Sequence, residues 1–234
     1  LSRGLGDVYK RQMLSYPSHE DPDLSMESTD QTNTILSGIL TYDRNFGDHG
    51  VNFLIGMERD WSNAESFNAY RRYFLSNALH HFNAGGDKEK NAKSDGDNWE
   101  RARMNYFGRM AYNYKEKYLA EFVWRYDGSY MFAEGNRFGF FPGVLLGYRI
   151  SEEDFWKENL SFIDYFKIRA SWGQMGNDQV YFDNSLREYQ FSPTYYYEWG
   201  YIIDNADEKG LRISRFPNPN ITWERANNFN IGIE

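Results

Sequence analysis

The sequence predicts an all-β fold, a transmembrane antiparallel β-barrel segment with about seven strands, and three observations carry that expectation. The first is period-2 alternation. In residues 101–114, Ala102, Met104, Tyr106, Gly108, Met110, Tyr112 and Tyr114 share one parity, opposite Arg101, Arg103, Asn105, Phe107, Arg109, Ala111 and Asn113. The second is length: about 11 residues at roughly 3.3 Å per residue give about 36 Å. Tilted by about 40°, such a strand covers close to 27 Å, near the roughly 25 Å apolar band of a membrane barrel. The third is a rhythm of short and long connections, as expected of turns on one side and loops on the other.

The elements follow in order. A weak strand is expected over about 33–42. Residues 50–61 set Val51, Phe53, Ile55 and Met57 against Asn52, Leu54, Gly56, Glu58 and Asp60. SFNAYRRYFLSNALHHF (66–82) has the pattern of a short amphipathic helix, and NAGGDKEKNAKSDGDNW (83–99) reads as a solvated loop. After the 101–114 strand, residues 117–127 set Tyr118, Ala120, Phe122, Trp124 and Tyr126 against Lys117, Leu119, Glu121, Val123, Arg125 and Asp127. In 138–150 the apolar parity holds Phe138, Phe140, Val144, Leu146, Tyr148 and Ile150, with glycines and arginine on the other. EEDFWKENLSF (152–162) is longer than a turn. Residues 163–173 place Phe166, Ile168, Ala170 and Trp172 opposite Tyr165, Lys167, Arg169, Ser171 and Gly173. YYYEWGYII (195–203) reads as an extra strand in a long connection, and a last strand starts near Thr222. The expected extracellular loops are about 62–99, 128–136 and 174–221.

Composition excludes several classes. Among 234 residues, 34 Asp and Glu outnumber 26 Lys and Arg, which disfavours a nucleic-acid partner. The absence of cysteine excludes disulfides and thiolate metal sites. Mean hydropathy is −0.78, and no apolar run is long enough for a membrane helix. The first residues, LSRGLGDVYKRQ, match no periodicity downstream, so 1–12 are expected to be a non-native lead-in and 13–234 a partial barrel domain.

Enzyme signatures are missing: there is no P-loop, no G-x-S-x-G and no H-E-x-x-H. His19, His49, His80 and His81 are not spaced as metal ligands. SDGDNWE (94–100) resembles a calcium loop, but Lys93 stands where an acid or amide is needed, and a plain turn is the better reading. No cofactor, metal or catalytic residue is expected.

The candidate site residues are therefore sorted by side of the sheet. Tyr118, Phe122, Trp124, Phe138, Phe140, Val144, Leu146, Tyr148, Ile168 and Trp172 continue apolar faces and are expected to face lipid. Arg109, Glu121, Arg125, Lys167 and Arg169 lie on the opposite parity, as lumen-facing charge. Tyr195, Tyr196, Tyr197 and Trp199, in a long connection, are candidates for gripping a ligand.

The residues also carry a resemblance. RYDGSYMFAEGNRFGFFPGVLLGYRISEEDF (125–155) resembles the R-x-D-G-S…N-R-x-G-x-F-P-x-x-x-x-G-x-R-I-S-E-E-x-F block of SusC/RagA-type TonB-linked (TonB-dependent) outer-membrane transporters. FKIRASWGQMGNDQ (166–179) is similar to that family's L-K-x-R-x-S-x-G-x-x-G-N-D-Q segment, with Phe166 at the leucine position. PNPNITWERANNFNIGIE (217–234) resembles its N-P-x-L-x-W-E…N-I-G block. DGSYMF departs from the usual DGSSRF, so Tyr130 and Met131 make that turn less polar. The resemblance implies a barrel of about 22 strands, with a plug domain and TonB-contacting segment that this sequence does not contain. It implies residence in the bacterial outer membrane, a SusD-like surface lipoprotein as lid, TonB as energy coupler, and oligosaccharide or oligopeptide as ligand. The main functional expectation is a component of an active outer-membrane importer. The alternative is a soluble, aromatic-rich β-sandwich that binds carbohydrate; a passive porin is a third reading.

Overall fold

The computed structural model describes residues 9–13, 22–76, 78–160, 162–203 and 206–234. Twelve strands appear in chain order: β1 (Tyr9–Met13), β2 (Asp23–Phe46), β3 (His49–Arg72), β4 (Ala92–Tyr114), β5 (Tyr118–Ser129), β6 (Phe138–Arg149), β7 (Lys167–Asn177), β8 (Tyr181–Phe182), β9 (Ser185–Leu186), β10 (Thr194–Ile203), β11 (Ala206–Arg215) and β12 (Glu224–Ile233). Two short helices accompany them, α1 (Lys88–Asn91) and α2 (Asp154–Asn159). The main sheet has eight strands in the order β1-β2-β3-β4-β5-β6-β7-β12; β10 pairs with β11, and β8 with β9.

This order corrects the expected fold class. The main sheet ends on β1 at one side and β12 at the other, so it is open and is not a closed transmembrane barrel. Closure would require the two edge strands to share a ladder. The chain is an all-β, antiparallel protein of open sheets, and the expectations of a β-barrel and of a transmembrane barrel fragment are withdrawn. No helix among the described residues is long and apolar enough to cross a membrane.

The chain divides into two compact units, 1–36 with 60–102, and 37–59 with 103–234. In the first, Tyr9–Met13 pairs antiparallel with Ser25–Thr29, so part of the expected lead-in is a strand; residues 1–8 lie outside the described residues. Leu24, Ala64 and Phe74 are buried there. The Arg71 side chain, also buried, donates from Nε to the Gly86 carbonyl at 2.8 Å and from Nη1 to the Phe82 carbonyl, satisfying carbonyls of the loop it holds. Asp87 caps α1 by accepting from the Glu89 N–H at 2.9 Å.

The expected loop at 62–99 is largely strand. β3 continues to Arg72 and β4 begins at Ala92, so neither the amphipathic helix over 66–82 nor the plain turn at 94–100 forms. Ladder hydrogen bonds run between backbones whatever the side chains are, so polarity alone could not mark where these strands stop. Trp61 Nε1 donates to Glu100 Oε1 at 2.7 Å across this region.

In the second unit the expected parity is observed as register. Met110 pairs with Phe122, Phe122 with Val144, Val144 with Trp172, and Trp172 with Phe229, so five strands place an apolar row on one face. Neighbouring rows are Tyr112-Ala120-Leu146-Ala170-Ile231 and Tyr114-Tyr118-Tyr148-Ile168-Ile233. The opposite face carries Arg109-Val123-Gly143-Gly173-Asn228 and Ala111-Glu121-Leu145-Ser171-Asn230. The three-residue β4–β5 turn, 115–117, has Lys115 and Glu116 both at positive φ (52° and 54°), and the Lys117 N–H donates to the Tyr114 carbonyl at 3.0 Å, a tight turn whose twist matches the strands.

Glycine makes room where large rings cross the sheet. A Cβ on Gly128 would lie 2.5 Å from the Phe138 ring, and one on Gly56 2.5 Å from Phe107. The buried core gathers at the far end of β5 and β6. Phe132 is fully buried, with Met131 and Phe141 close behind, and Trp223 sits 5.3 Å from the Phe132 ring and 5.2 Å from Phe141. Met131, expected in an exposed turn, is therefore a core residue.

Candidate functional site

A groove of about 380 Å³ lies in the second unit, lined on its polar side by Asp43, Asn52, Asn113, Glu121, Arg169 and Glu234. Strand alternation explains its chemistry. Glu121 and Arg169 occupy the parity opposite the apolar rows, and each reaches a partner across strands. Arg109 Nη2 donates to Glu121 Oε2 at 2.7 Å; Arg169 Nε is 2.7 Å from Glu234 Oε1, and Lys167 Nζ 3.0 Å from Glu234 Oε2. Asn52 donates to Asp43 at 2.8 Å. The hydrogen bond from Lys167, followed by the nearby positive charges of Lys167 and Arg169, holds the Glu234 carboxyl below its ordinary range. The hydrogen bond to Glu121, and then its charge, raises the Arg109 guanidinium.

All five charges expected on one face are found there, and each has an acidic or basic partner. Arg125 makes a two-pronged contact with Asp127 at 2.8 and 3.0 Å. Glu234 and Asp127 were not singled out in the sequence. Asp127 stands two residues from Arg125 on the same parity, a signal present in the sequence. Glu234 meets Lys167 only through the β7–β12 register, where the two residues also exchange backbone hydrogen bonds at 2.9 Å.

All ten residues expected to face lipid lie on the apolar parity of β5, β6 and β7. Phe122, Phe140, Leu146 and Trp172 are exposed there, with Leu146 56 % accessible. Tyr118 and Tyr148 stack with centroids 5.0 Å apart and planes at 6°, and Tyr126 stacks on Phe138 at 4.9 Å. Tyr195, Tyr196 and Tyr197 lie on β10, all exposed, and do not line the groove. Tyr195 and Tyr197 pair with Ile213 and Leu211, whereas Tyr196 pairs with Arg212 and donates to Glu198 at 3.3 Å. The Trp199 side chain lies outside the described residues.

A second polar cluster joins segments that the sequence keeps far apart. Asp178 Oδ2 accepts from Arg103 Nε at 2.9 Å and from Ser129 Oγ at 2.6 Å. The Ser129 oxygen accepts in turn from the Met131 N–H at 3.2 Å, and Trp223 Nε1 donates to the Arg137 carbonyl at 3.0 Å. The Ser of D-G-S, the Asp of G-N-D-Q and the Trp of the final block thus meet at the same end of the sheet. Among the described residues no group of three or more His, Cys, Asp or Glu is placed to hold a metal ion.

No family model matches the chain. TonB-dependent receptor P3 of Formosa agariphila is 29% identical over 210 residues, covering 90% of this chain and 20% of the relative. TonB-dependent receptor P26 of the same organism is 35% identical over 132 residues, covering 56% of this chain and 12% of the relative. TonB-dependent receptor SusC of Bacteroides thetaiotaomicron is 26% identical, covering 94% of this chain and 24% of the relative. Among solved structures, the RagAB peptide importer in its closed-closed state matches with a TM-score of 0.76 at 20% identity, over 93% of this chain and 23% of that one. The chain spans about a quarter or less of each of these proteins. They support the resemblance to SusC/RagA-type receptors, and the structural match is one of fold alone.

The same findings bound the function. The chain is related to TonB-dependent receptors, a relation that points to an outer-membrane transporter system. The expectation of a component of an active outer-membrane importer, as part of its barrel, is corrected by the open sheet, whose described strands close no pore. The open antiparallel sheets sit better with the alternative, a soluble, aromatic-rich β-sandwich that binds carbohydrate, than with a closed barrel.

Proposed function

We propose that this chain is a binding module of an outer-membrane transport system, and that its groove between Asp43 and Glu234 receives a neutral polar ligand, an oligosaccharide or an oligopeptide. The observation that carries this reading is the lining of the groove. Glu121 is paired with Arg109 and Glu234 with Lys167 and Arg169, while Asp43, Asn52, Asn113 and the paired carboxylates offer donors and acceptors to hydroxyls or peptide amides. A site of this kind has no excess positive charge with which to select a polyanion. The exposed tyrosines of β10 supply flat aromatic surface of the kind that packs on sugar rings or apolar side chains.

The relatives support a location at the outer membrane. The chain acts at the bacterial outer membrane, and the intact protein works with TonB and a SusD-like surface lipoprotein. The peptide named for the RagAB importer makes short peptides one of the two ligand classes to test.

The experiment is equilibrium binding by the intact protein, using an array of neutral oligosaccharides and a pool of short peptides as probes. Asn113→Ala and Asn52→Ala are expected to weaken the captured class about tenfold each, the loss of one or two hydrogen bonds. Tyr197→Ala tests the β10 surface in parallel. Unchanged binding in both asparagine variants rules out the groove, and capture of neither probe class rules out the function.

A further inference from the structure

The connection from Ile150 to Phe166 leaves β6, forms a 3-10 turn at Ile150–Glu152 and then α2, and returns at β7. Much of its order is internal. The Ser151 N–H donates to the Phe166 carbonyl at 3.2 Å, Trp156 stacks on Phe166 at 4.9 Å and 11°, and Trp156 Nε1 donates to the Ile163 carbonyl at 3.1 Å. Its side-chain hydrogen bonds to β5 and β6 converge on one carboxylate. Glu153 Oε2 accepts from Lys117 Nζ at 3.1 Å, and Oε1 accepts from Tyr118 Oη at 3.1 Å and Tyr148 Oη at 3.0 Å. The Lys117 and Glu153 side chains are only 18% and 19% accessible, so water replaces these bonds poorly.

The same two hydroxyls belong to the stacked pair Tyr118–Tyr148. Two rings held by one acceptor cannot slide past each other without breaking a bond to it. The remaining charges nearby are engaged elsewhere: Arg149 with Glu116 at 3.4 Å and over the Tyr165 ring at 5.7 Å, and Glu152 with Lys157 at 2.8 Å. Asp154 adds a further negative charge near Lys117.

We propose that Glu153 is a clamp that seats the 150–166 connection on the ends of β5 and β6 and locks the Tyr118–Tyr148 stack, so that neutralising or removing it releases both together while the sheet stays paired. Local opening of such a unit is an ordinary sub-global event when few contacts bind it to the rest. The hydrogen bonds from Lys117 and Tyr148 hold the Glu153 carboxyl below its usual range, and burial followed by the bond to Glu153 pushes Tyr148 up to about 12. The sign follows from the depressed carboxyl: the clamp is fully present above the unfolded pKa of about 4.3 and is lost as pH falls through the lower folded value.

The test is hydrogen exchange on the full chain at neutral pH, with phenol titration alongside. Glu153→Ala is expected to speed exchange of the amides of Ser151, Trp156 and Leu160 by about tenfold or more, and those of Phe122 and Val144 by less than about twofold. Glu153→Gln, which keeps an acceptor but loses the charge, is expected to fall between. In both, the Tyr148 titration returns toward about 10. Glu152→Gln, which removes the neighbouring surface pair, is expected to change neither readout. Wild-type protection in Glu153→Ala overturns the clamp, as does equal loosening at Phe122, or the same release in Glu152→Gln. Should Glu153→Ala fail to fold, acidifying the wild-type chain decides: release of 150–166 before the sheet supports the clamp, and simultaneous loss overturns it.

Discussion

The two faces of the sheet built by β4, β5, β6, β7 and β12 complete their interactions differently. On the polar face Arg109 meets Glu121, Arg125 meets Asp127, and Lys167 and Arg169 meet Glu234, so charge placed by one strand is answered by its neighbour. On the apolar face Phe122, Leu146, Trp172, Phe229 and Ile231 form continuous rows that nothing among the described residues covers. Cross-strand pairing alone makes the first face self-sufficient. The second is ordered equally well by backbone pairing, yet its burial depends on something outside the described chain. Regular secondary structure therefore does not show that a surface is finished.

The sharpest contrast comes from the place where apolar groups are buried within the chain. Phe132→Ala, which empties the space against Trp223, is expected to cost about 3–5 kcal/mol in denaturant unfolding. Asp178→Ala is expected to cost about 1–3 kcal/mol, because Arg103 and Ser129 lose a largely buried acceptor. Leu146→Ser on the open face is expected to change the stability of the chain alone by no more than about 0.5 kcal/mol. A large loss there would mean that the face is covered after all, whereas an added loss in the intact protein would locate the cover. Arg109→Ala is expected to cost under about 1 kcal/mol, since the Arg109 side chain is 48% accessible and its pair is screened.

The smallest effect is electrostatic. Tyr148 should ionise near 12, above the ordinary phenol value of about 10, when absorbance is followed through alkaline pH. A raised phenol keeps its proton in the folded chain while the unfolded chain loses it above about 10, so this contribution to stability fades as pH rises from about 10 toward about 12. Titration of Tyr148 with the bulk would remove the evidence for its bond to Glu153.

Part of this was legible in the residues. Alternation at 101–114, 117–127, 138–150 and 163–173 assigned the side chains of those stretches of β4 to β7 to their faces, and the register agrees. The three sequence blocks were recognisable, but their reason was not: Ser129, Asp178 and Trp223 serve one end of the sheet only after the chain has folded. Strand ends were misjudged at 62–72 and 92–99, where polar side chains ride on strand backbone.

By itself, the sequence determined an antiparallel all-β chain with one apolar and one polar parity, because a side-chain period of two is local to each strand. It could not determine closure. Whether eight strands end in open edges or in a ring depends on long-range pairing, which no local pattern encodes, and only the tertiary structure decided for open edges at β1 and β12. The partners of Glu234 and Glu153 were decided there too. Each meets its cation or hydroxyls across strands and connections distant in sequence, where register and not composition chooses the neighbour.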